Sequence, residues 1–305
     1  YFRIRGTDHT RINMTLNDVP LNDSESQTVF WVNMTDMASS MSSLNVQRGV
    51  GTSTNGSASF GASINMQSNV EGSKVEGSNV EGSKVEGFKV EGEKAMRREG
   101  DEARSNVTEA FSGGMYTTFG EMVSTHIVLP RQWRANARFS KVNSDGFLYR
   151  TASDLYSYYG DLGWYGKKTE VVGRFFGGSE KTGMGWDGVD YNTAYGLNGA
   201  DRRYNPAGEY TTTAADGSDS VAYYPNQTDN YAQQHAQLSI RHRLTPQWSL
   251  AATAHYTHGA GYYEQYKRKK LSYWGLPYSH QAYGMYRKQL DNHFFGAVLT
   301  AKYIS

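Results

Sequence analysis

Residues 248–258, WSLAATAHYTH, put Trp248, Leu250, Ala252, Ala254 and Tyr256 on one side of an extended chain and Ser249, Thr253, His255 and Thr257 on the other. Side chains alternate across a strand, so this stretch reads as a β-strand with one apolar face and one polar face. The pattern recurs in residues 133–141, WRANARFSK, where Ala135, Ala137 and Phe139 oppose Arg134, Asn136, Arg138 and Ser140. It runs on through Val123, Thr125, Ile127 and Leu129, through Tyr156, Tyr158, Leu162 and Trp164, through Leu238 and Ile240, and through Phe295, Ala297, Leu299, Ala301 and Tyr303. Strands are predicted near residues 107–117, 119–129, 133–143, 154–165, 169–179, 231–243, 247–258 and 291–303. That makes about eight.

A water-soluble sandwich would show the same alternation. Two features favour a transmembrane antiparallel β-barrel instead. The connections LPRQW, YGKK and RLTPQW are tight, whereas residues 180–229 and 259–290 read as long, tyrosine-rich excursions. Aromatic residues also gather at strand ends, as at Trp133, Trp164, Trp248 and Tyr303. Short turns at one end, long loops at the other and aromatic girdles between them are what a bilayer imposes on a barrel.

Bulk composition agrees. Tyr 23, Gly 33 and Pro 6 with a mean hydropathy of −0.67 describe a polar, aromatic-rich chain. No run approaches 18 apolar residues, which excludes a spanning helix but not a spanning strand of about 9–11 residues. A net charge of +1 offers no footprint for nucleic acid, and the absence of cysteine removes disulfides and thiolate chemistry.

The first part of the chain has another texture. Residues 47–61, QRGVGTSTNGSASFG, resemble a phosphate cradle, but Thr54 stands where a dinucleotide fingerprint needs its third glycine. No lysine precedes residue 68, so the Walker ending is missing too. Residues 69–93 are the pentapeptides NVEGS KVEGS NVEGS KVEGF KVEGE. One valine per copy cannot offset the cost of ordering the backbone, so residues 68–105 read as a low-complexity linker. The expected organisation is a mixed α/β body over 1–67, this linker, and an all-β region over 106–305. The chain opens on Tyr1 without an initiator methionine and closes at Ser305 just past a strand, and a fragment is expected.

Residues 2–23, FRIRGTDHTRINMTLNDVPLND, followed by 41–66, MSSLNVQRGVGTSTNGSASFGASINM, resemble the second half of the plug domain of TonB-dependent outer-membrane receptors. The matching positions are Arg5 and Gly6, then Arg48, Gly49, Gly56, Gly61, Ile64 and Asn65. YNPAGEY (204–210), NQTDNYAQQHAQL (226–238) and HYTHGAGYYEQY (255–266) are similar to barrel and loop segments of the Bacteroidetes branch. The resemblance implies a partial barrel, about eight strands of an expected 22 or so. It also implies that Arg5 and Arg48 lock the plug to the barrel wall, and that the glycines shape its turns. The function implied is energised uptake of a scarce, large ligand, such as an iron chelate, cobalamin or oligosaccharide, at the bacterial outer membrane. Its partners would be outer-membrane lipid, the TonB energy-coupling complex and an extracellular ligand. A passive barrel, a surface-binding protein or a non-functional truncated receptor are the alternatives.

Tyr262, Tyr263, Tyr266, Tyr273, Trp274 and Tyr278 crowd one segment near Lys267–Lys270 and form the candidate ligand-binding loop, since rigid aromatics beside cations suit stacking. Packing among neighbouring loops is the plainer reading of any single one. His255 and His258 fall on opposite faces of a strand, which argues against joint metal binding. Asp187, Asp190 and Asn192 lack calcium-loop spacing. No catalytic constellation stands out, and neither an enzyme nor a cofactor nor a metal is expected.

Overall fold

A computed structural model describes residues 3–23, 25–49, 60–68 and 105–304. Gly56 and the pentapeptide repeat lie outside the described residues.

The N-terminal body is a four-stranded sheet of β1 (Ile12–Leu16), β2 (Val19–Pro20), β3 (Met41–Arg48) and β4 (Ala62–Ser68) in the order β2-β1-β4-β3. β1 runs parallel to β4. It is buried along its whole length, and Ile12, Met14 and Leu16 form a core with Ile64 and Met66. The NDVPLND segment earns its place locally. Asn17 and Asp18 take left-handed conformations (φ 53° and 67°) at the turn between β1 and β2, a conformation Asn and Asp tolerate well. Asn22 accepts from the Met14 amide at 2.8 Å and donates to the carbonyls of Ile12 and Gln27 at 2.9 and 3.0 Å, tying the returning chain to β1.

The mixed α/β expectation for this body needs correcting. Among its described residues the helical turns at His9–Arg11, Trp31–Met34 and Met37–Ser40 are all 3-10. Asp36, at φ 56°, breaks the run between the last two before an α-helical turn can propagate.

The remainder is built on one eight-stranded antiparallel sheet. It comprises β5 (Asn106–Gly114), β6 (Thr118–Leu129), β7 (Trp133–Ser144), β8 (Ser153–Tyr165) and β9 (Thr169–Gly183). A segment with a helix α1 (Tyr191–Tyr195) and a small hairpin of β10 (Glu209–Thr213) and β11 (Asp219–Tyr223) follows. β12 (Thr228–Arg243), β13 (Trp248–Lys270) and β14 (Gln281–Tyr303) complete the sheet in the order β14-β13-β12-β9-β8-β7-β6-β5. β5 and β14 each have a single neighbour, so the sheet is open.

Residues 259–290 are not one long loop. Pairing between β13 and β14 continues without a register shift from Trp248↔Tyr303 to Lys270↔Gln281, and only residues 271–280 leave the sheet. Beyond Tyr256 the strands of this hairpin are mainly polar or aromatic, with Met285 and Leu290 as their only large non-aromatic apolar side chains, so hydropathy gives little sign that the strands continue.

The two faces invert the order of a soluble domain. On the outer face Phe139 is 50% and Leu299 80% exposed. On the inner face Arg138, Ser140 and Ser157 are buried against the N-terminal body. A sandwich would bury the first row and wet the second. Trp133 pairs with Trp164, and Trp248 with Tyr303 at 5.0 Å between ring centroids, all at the end of the short turns. No helix among the described residues is long and apolar enough to cross a membrane, which says nothing of strands.

Candidate functional site

Two regions of the inner face carry chemistry. The first is the contact between the N-terminal body and the wall. Alternation along β7 turns Arg138 inward, and its Nε donates to Ser40 Oγ at 2.6 Å. Its Nη1 donates to Ser140 Oγ at 2.6 Å and Ser157 Oγ at 3.0 Å, and lies 3.6 Å from Asp36 Oδ2. Ser140 donates to the same Asp36 oxygen at 2.7 Å, and Ser157 donates to the Thr35 carbonyl. A buried guanidinium is thus paired and nearly saturated with acceptors, the condition under which a charge can be held out of water. The left-handed Asp36 that breaks the helical turns is the residue that presents this carboxylate.

Apolar contact supports the polar one. Tyr159 from β8 and Phe176 from β9 project into the core of the N-terminal body. Phe176 in turn stacks on His235 at 4.6 Å. At Gly178 a side chain would meet the Asn33 carbonyl at 2.7 Å, so glycine lets the two backbones approach. Sequence reading placed Arg138 on the polar face but did not single it out as an anchor. Its only signal is an arginine among serines in an inward row.

Arg5 and Arg48 are both exposed, and among the described residues neither makes an ion pair. Gly6 and Gly49 have φ of 74° and 80°, where a side chain would strain the backbone. Gly61 is closely approached, since a Cβ there would meet Thr7 Cγ2 at 2.5 Å, and its carbonyl accepts from the Gly49 amide at 2.9 Å.

The second region is the long-loop end of β13 and β14. Tyr262, Tyr263 and Tyr266 lie on β13, and alternation divides them. Tyr263 faces inward and joins Trp186 at 5.4 Å and Tyr286 at 6.0 Å. Tyr273 and Trp274, in the 3-10 turn after β13, close on Tyr286 at 6.0 and 6.2 Å, and Lys269 lies 5.4 Å over the Tyr273 ring. Gly284 makes room for this inner cluster, because a Cβ there would sit 3.0 Å from the Trp274 ring. The buried Trp274 indole N–H has no acceptor among the described residues.

Tyr262 and Tyr266 face outward. Tyr266 stacks with Tyr224 and with Tyr283, each at 5.4 Å, and meets Tyr210 at 5.0 Å. Tyr262 lies 4.2 Å beneath the Arg287 guanidinium. Arg287 forks onto the buried Glu264 carboxylate at 2.8 and 2.5 Å, while Tyr224 and Asn226 donate to its other oxygen. That bond pushes the Tyr224 hydroxyl above its ordinary pKa. In the hairpin beside it, Tyr204 donates to Glu209 at 2.6 Å and is pushed up to about 12 for the same reason. This outer group ties the β10–β11 hairpin to the sheet, with both Glu264 oxygens accepting hydrogen bonds. Tyr278 stands apart and meets His280 at 5.7 Å. The six aromatic candidates therefore form no single loop surface.

No protein-family model and no curated protein matches the chain. Among solved structures, the siderophore receptor PiuA from Acinetobacter baumannii is similar, with a TM-score of 0.58 at 13% identity over 98% of this chain and 36% of its own. The open form of the ferric-catecholate import receptor Fiu from E. coli K12 gives 0.55 at 11% identity, over 98% of this chain and 40% of its own. The chain thus spans little more than a third of the length of these proteins. At such identities the likeness is one of fold, and it is to transport receptors rather than to enzymes.

Proposed function

We propose that this chain is the plug-bearing portion of a TonB-dependent outer-membrane receptor of the Bacteroidetes type, taking part in energised uptake of a scarce, large ligand. The N-terminal body serves as the C-terminal half of the plug, residues 68–105 as a linker, and β5–β9 with β12–β14 as the first part of a larger barrel. The open edges of the sheet are where further strands would join. One observation carries this reading: a small folded body sits on the polar face of a sheet whose opposite face presents an exposed apolar row. A lipid solvent makes that arrangement favourable, because each apolar Å² left in water would cost about 25 cal/mol.

On this reading the long-loop end is extracellular, and the inner cluster of Trp186, Tyr263, Tyr273, Trp274 and Tyr286 receives the ligand. Stacking surfaces, a neighbouring lysine and an unpartnered indole N–H suit an aromatic, anionic guest such as a ferric catecholate. The outer trio of Tyr266, Tyr224 and Tyr283 is structural. Arg5 and Arg48 would meet acidic wall residues, while Arg138 and Asp36 provide a lock of opposite polarity, with the cation on the wall.

Membrane fractionation of cells producing the protein tests the reading. Recovery in detergent extracts of outer membrane, with gel mobility that changes on heating, is expected. A folded protein in the soluble fraction would overturn it.

A further inference from the structure

The apolar row of the outer face does not end in apolar residues. Above Tyr256 and Phe295 stand His258 and His293, directly opposed across β13 and β14, with Asp291 two residues before His293 on the same face. His258 Nε2 lies 3.0 Å and His293 Nε2 3.6 Å from Asp291 Oδ1, and the three atoms fall within 4.8 Å of one another. The imidazoles stack at 4.6 Å with 14° between their planes. Among the described residues Asp291 pairs with no lysine or arginine. The two imidazole rings lie against its carboxylate instead.

We infer that His258, His293 and Asp291 form a binding site for one divalent transition-metal ion of the Zn²⁺ class. Two imidazole nitrogens and a carboxylate oxygen are the donors such ions prefer. Bonds of about 2.0–2.1 Å in tetrahedral geometry separate neighbouring ligand atoms by about 3.4 Å. The separations of 3.0 and 3.6 Å bracket that figure. The far side of His293 is also prepared. Its Nδ1 is 2.7 Å from the Tyr256 hydroxyl, and with Nδ1–H donating to that oxygen, Nε2 offers its lone pair to the metal. Such outer contacts orient ligating imidazoles and raise their basicity. For Nε2 of His258 to ligate, that ring takes the tautomer protonated at Nδ1, so the neutral imidazole keeps its one proton.

The position agrees with the chemistry. Ten residues separate Trp248 from His258, about 33 Å along a strand at about 3.3 Å per residue. A tilt of about 40° reduces this to about 25 Å of depth, the height of a barrel's apolar band. The three ligands therefore meet the polar boundary rather than hydrocarbon, and the remaining coordination positions belong to water or a headgroup oxygen. The site needs only the β13–β14 pairing and would form whether or not the chain transports anything.

Calorimetric titration of the full chain, folded in detergent and stripped of metal, with ZnCl₂ decides the matter. One ion per chain is expected, with affinity falling at least 100-fold in the His258→Ala/His293→Ala double variant and in Asp291→Asn. Tyr256→Phe should keep the stoichiometry and weaken binding about tenfold. Co²⁺ in place of Zn²⁺ should give a visible absorption band in the native chain and none in the double variant. The side chains are 33%, 56% and 67% exposed, so the substitutions should leave folding intact, as heat-dependent gel mobility will show. If the histidine variant does not fold, Asp291→Asn alone decides. No binding by the native chain, or equal binding by the variants through an ion held at other surface histidines, overturns the site.

Discussion

Arg138 and Asp36 lie far apart in sequence, and neither is conspicuous there; only folding brings a wall strand against the left-handed kink of the N-terminal body. Asp36→Asn leaves the guanidinium its serine acceptors but removes its counter-charge. Because Asp36 is 30% exposed, the loss should fall below that of a fully buried broken pair, at about 1–3 kcal/mol. Faster hydrogen exchange at the amides of β1 and β4, with β8 and β9 unchanged, is the expected sign of weakened docking. Equal exchange would mean that the apolar contacts of Tyr159 and Phe176 suffice. A different residue-level strain lies in the short turn between β6 and β7, where Arg131 and Gln132 adopt φ of 60° and 68°. Side chains other than Gly, Asn and Asp pay about 1–2 kcal/mol there. Gln132→Gly should therefore stabilise the fold by about 0.5–1 kcal/mol once glycine's extra chain entropy is subtracted, read as a higher denaturation midpoint.

Individual strands announced themselves wherever one face was apolar. The predicted span 133–143 became Trp133–Ser144, and 119–129 became Thr118–Leu129. Strand ends were missed where the apolar face gave way to polar and aromatic residues. Alternation predicts an end to β13 near His258, whereas the strand runs to Lys270; its continuation Gly259–Lys270 alternates nothing that hydropathy can register. The register supplies a sharp test of which row meets lipid. Ala254 lies mid-row, opposite Leu238 and Ala297. Ala254→Arg should cost about 2–4 kcal/mol in refolding equilibrium into bilayers. An unchanged equilibrium would place that row in water.

In the folded molecule, the tyrosines that look like one patch in sequence separate into two groups on opposite faces of the sheet. If the inner cluster receives a ferric catecholate as proposed, Trp274→Ala and Tyr286→Ala should weaken its binding by up to about tenfold, the worth of one aromatic contact. Tyr266→Ala and Tyr283→Ala should leave that affinity unchanged and instead loosen the β10–β11 hairpin, seen as earlier proteolysis within residues 209–223. The reverse pattern in a fluorescence-quenching titration would assign the ligand to the outer face. The cross-strand trio His258, Asp291 and His293 was likewise invisible beforehand, since spacing along one strand says nothing about the residue opposite.

Alternation of side chains is a property of the chain itself, so the strands with an apolar row, and the aromatic residues at their short-turn ends, could be read from sequence alone. Which strand position faces which neighbour depends on register, and register is settled by turns and packing acting together. For that reason the Arg138–Asp36 contact, the division of the aromatic residues between two faces and the histidine–aspartate cluster emerged only once the strands were paired and the N-terminal body was docked.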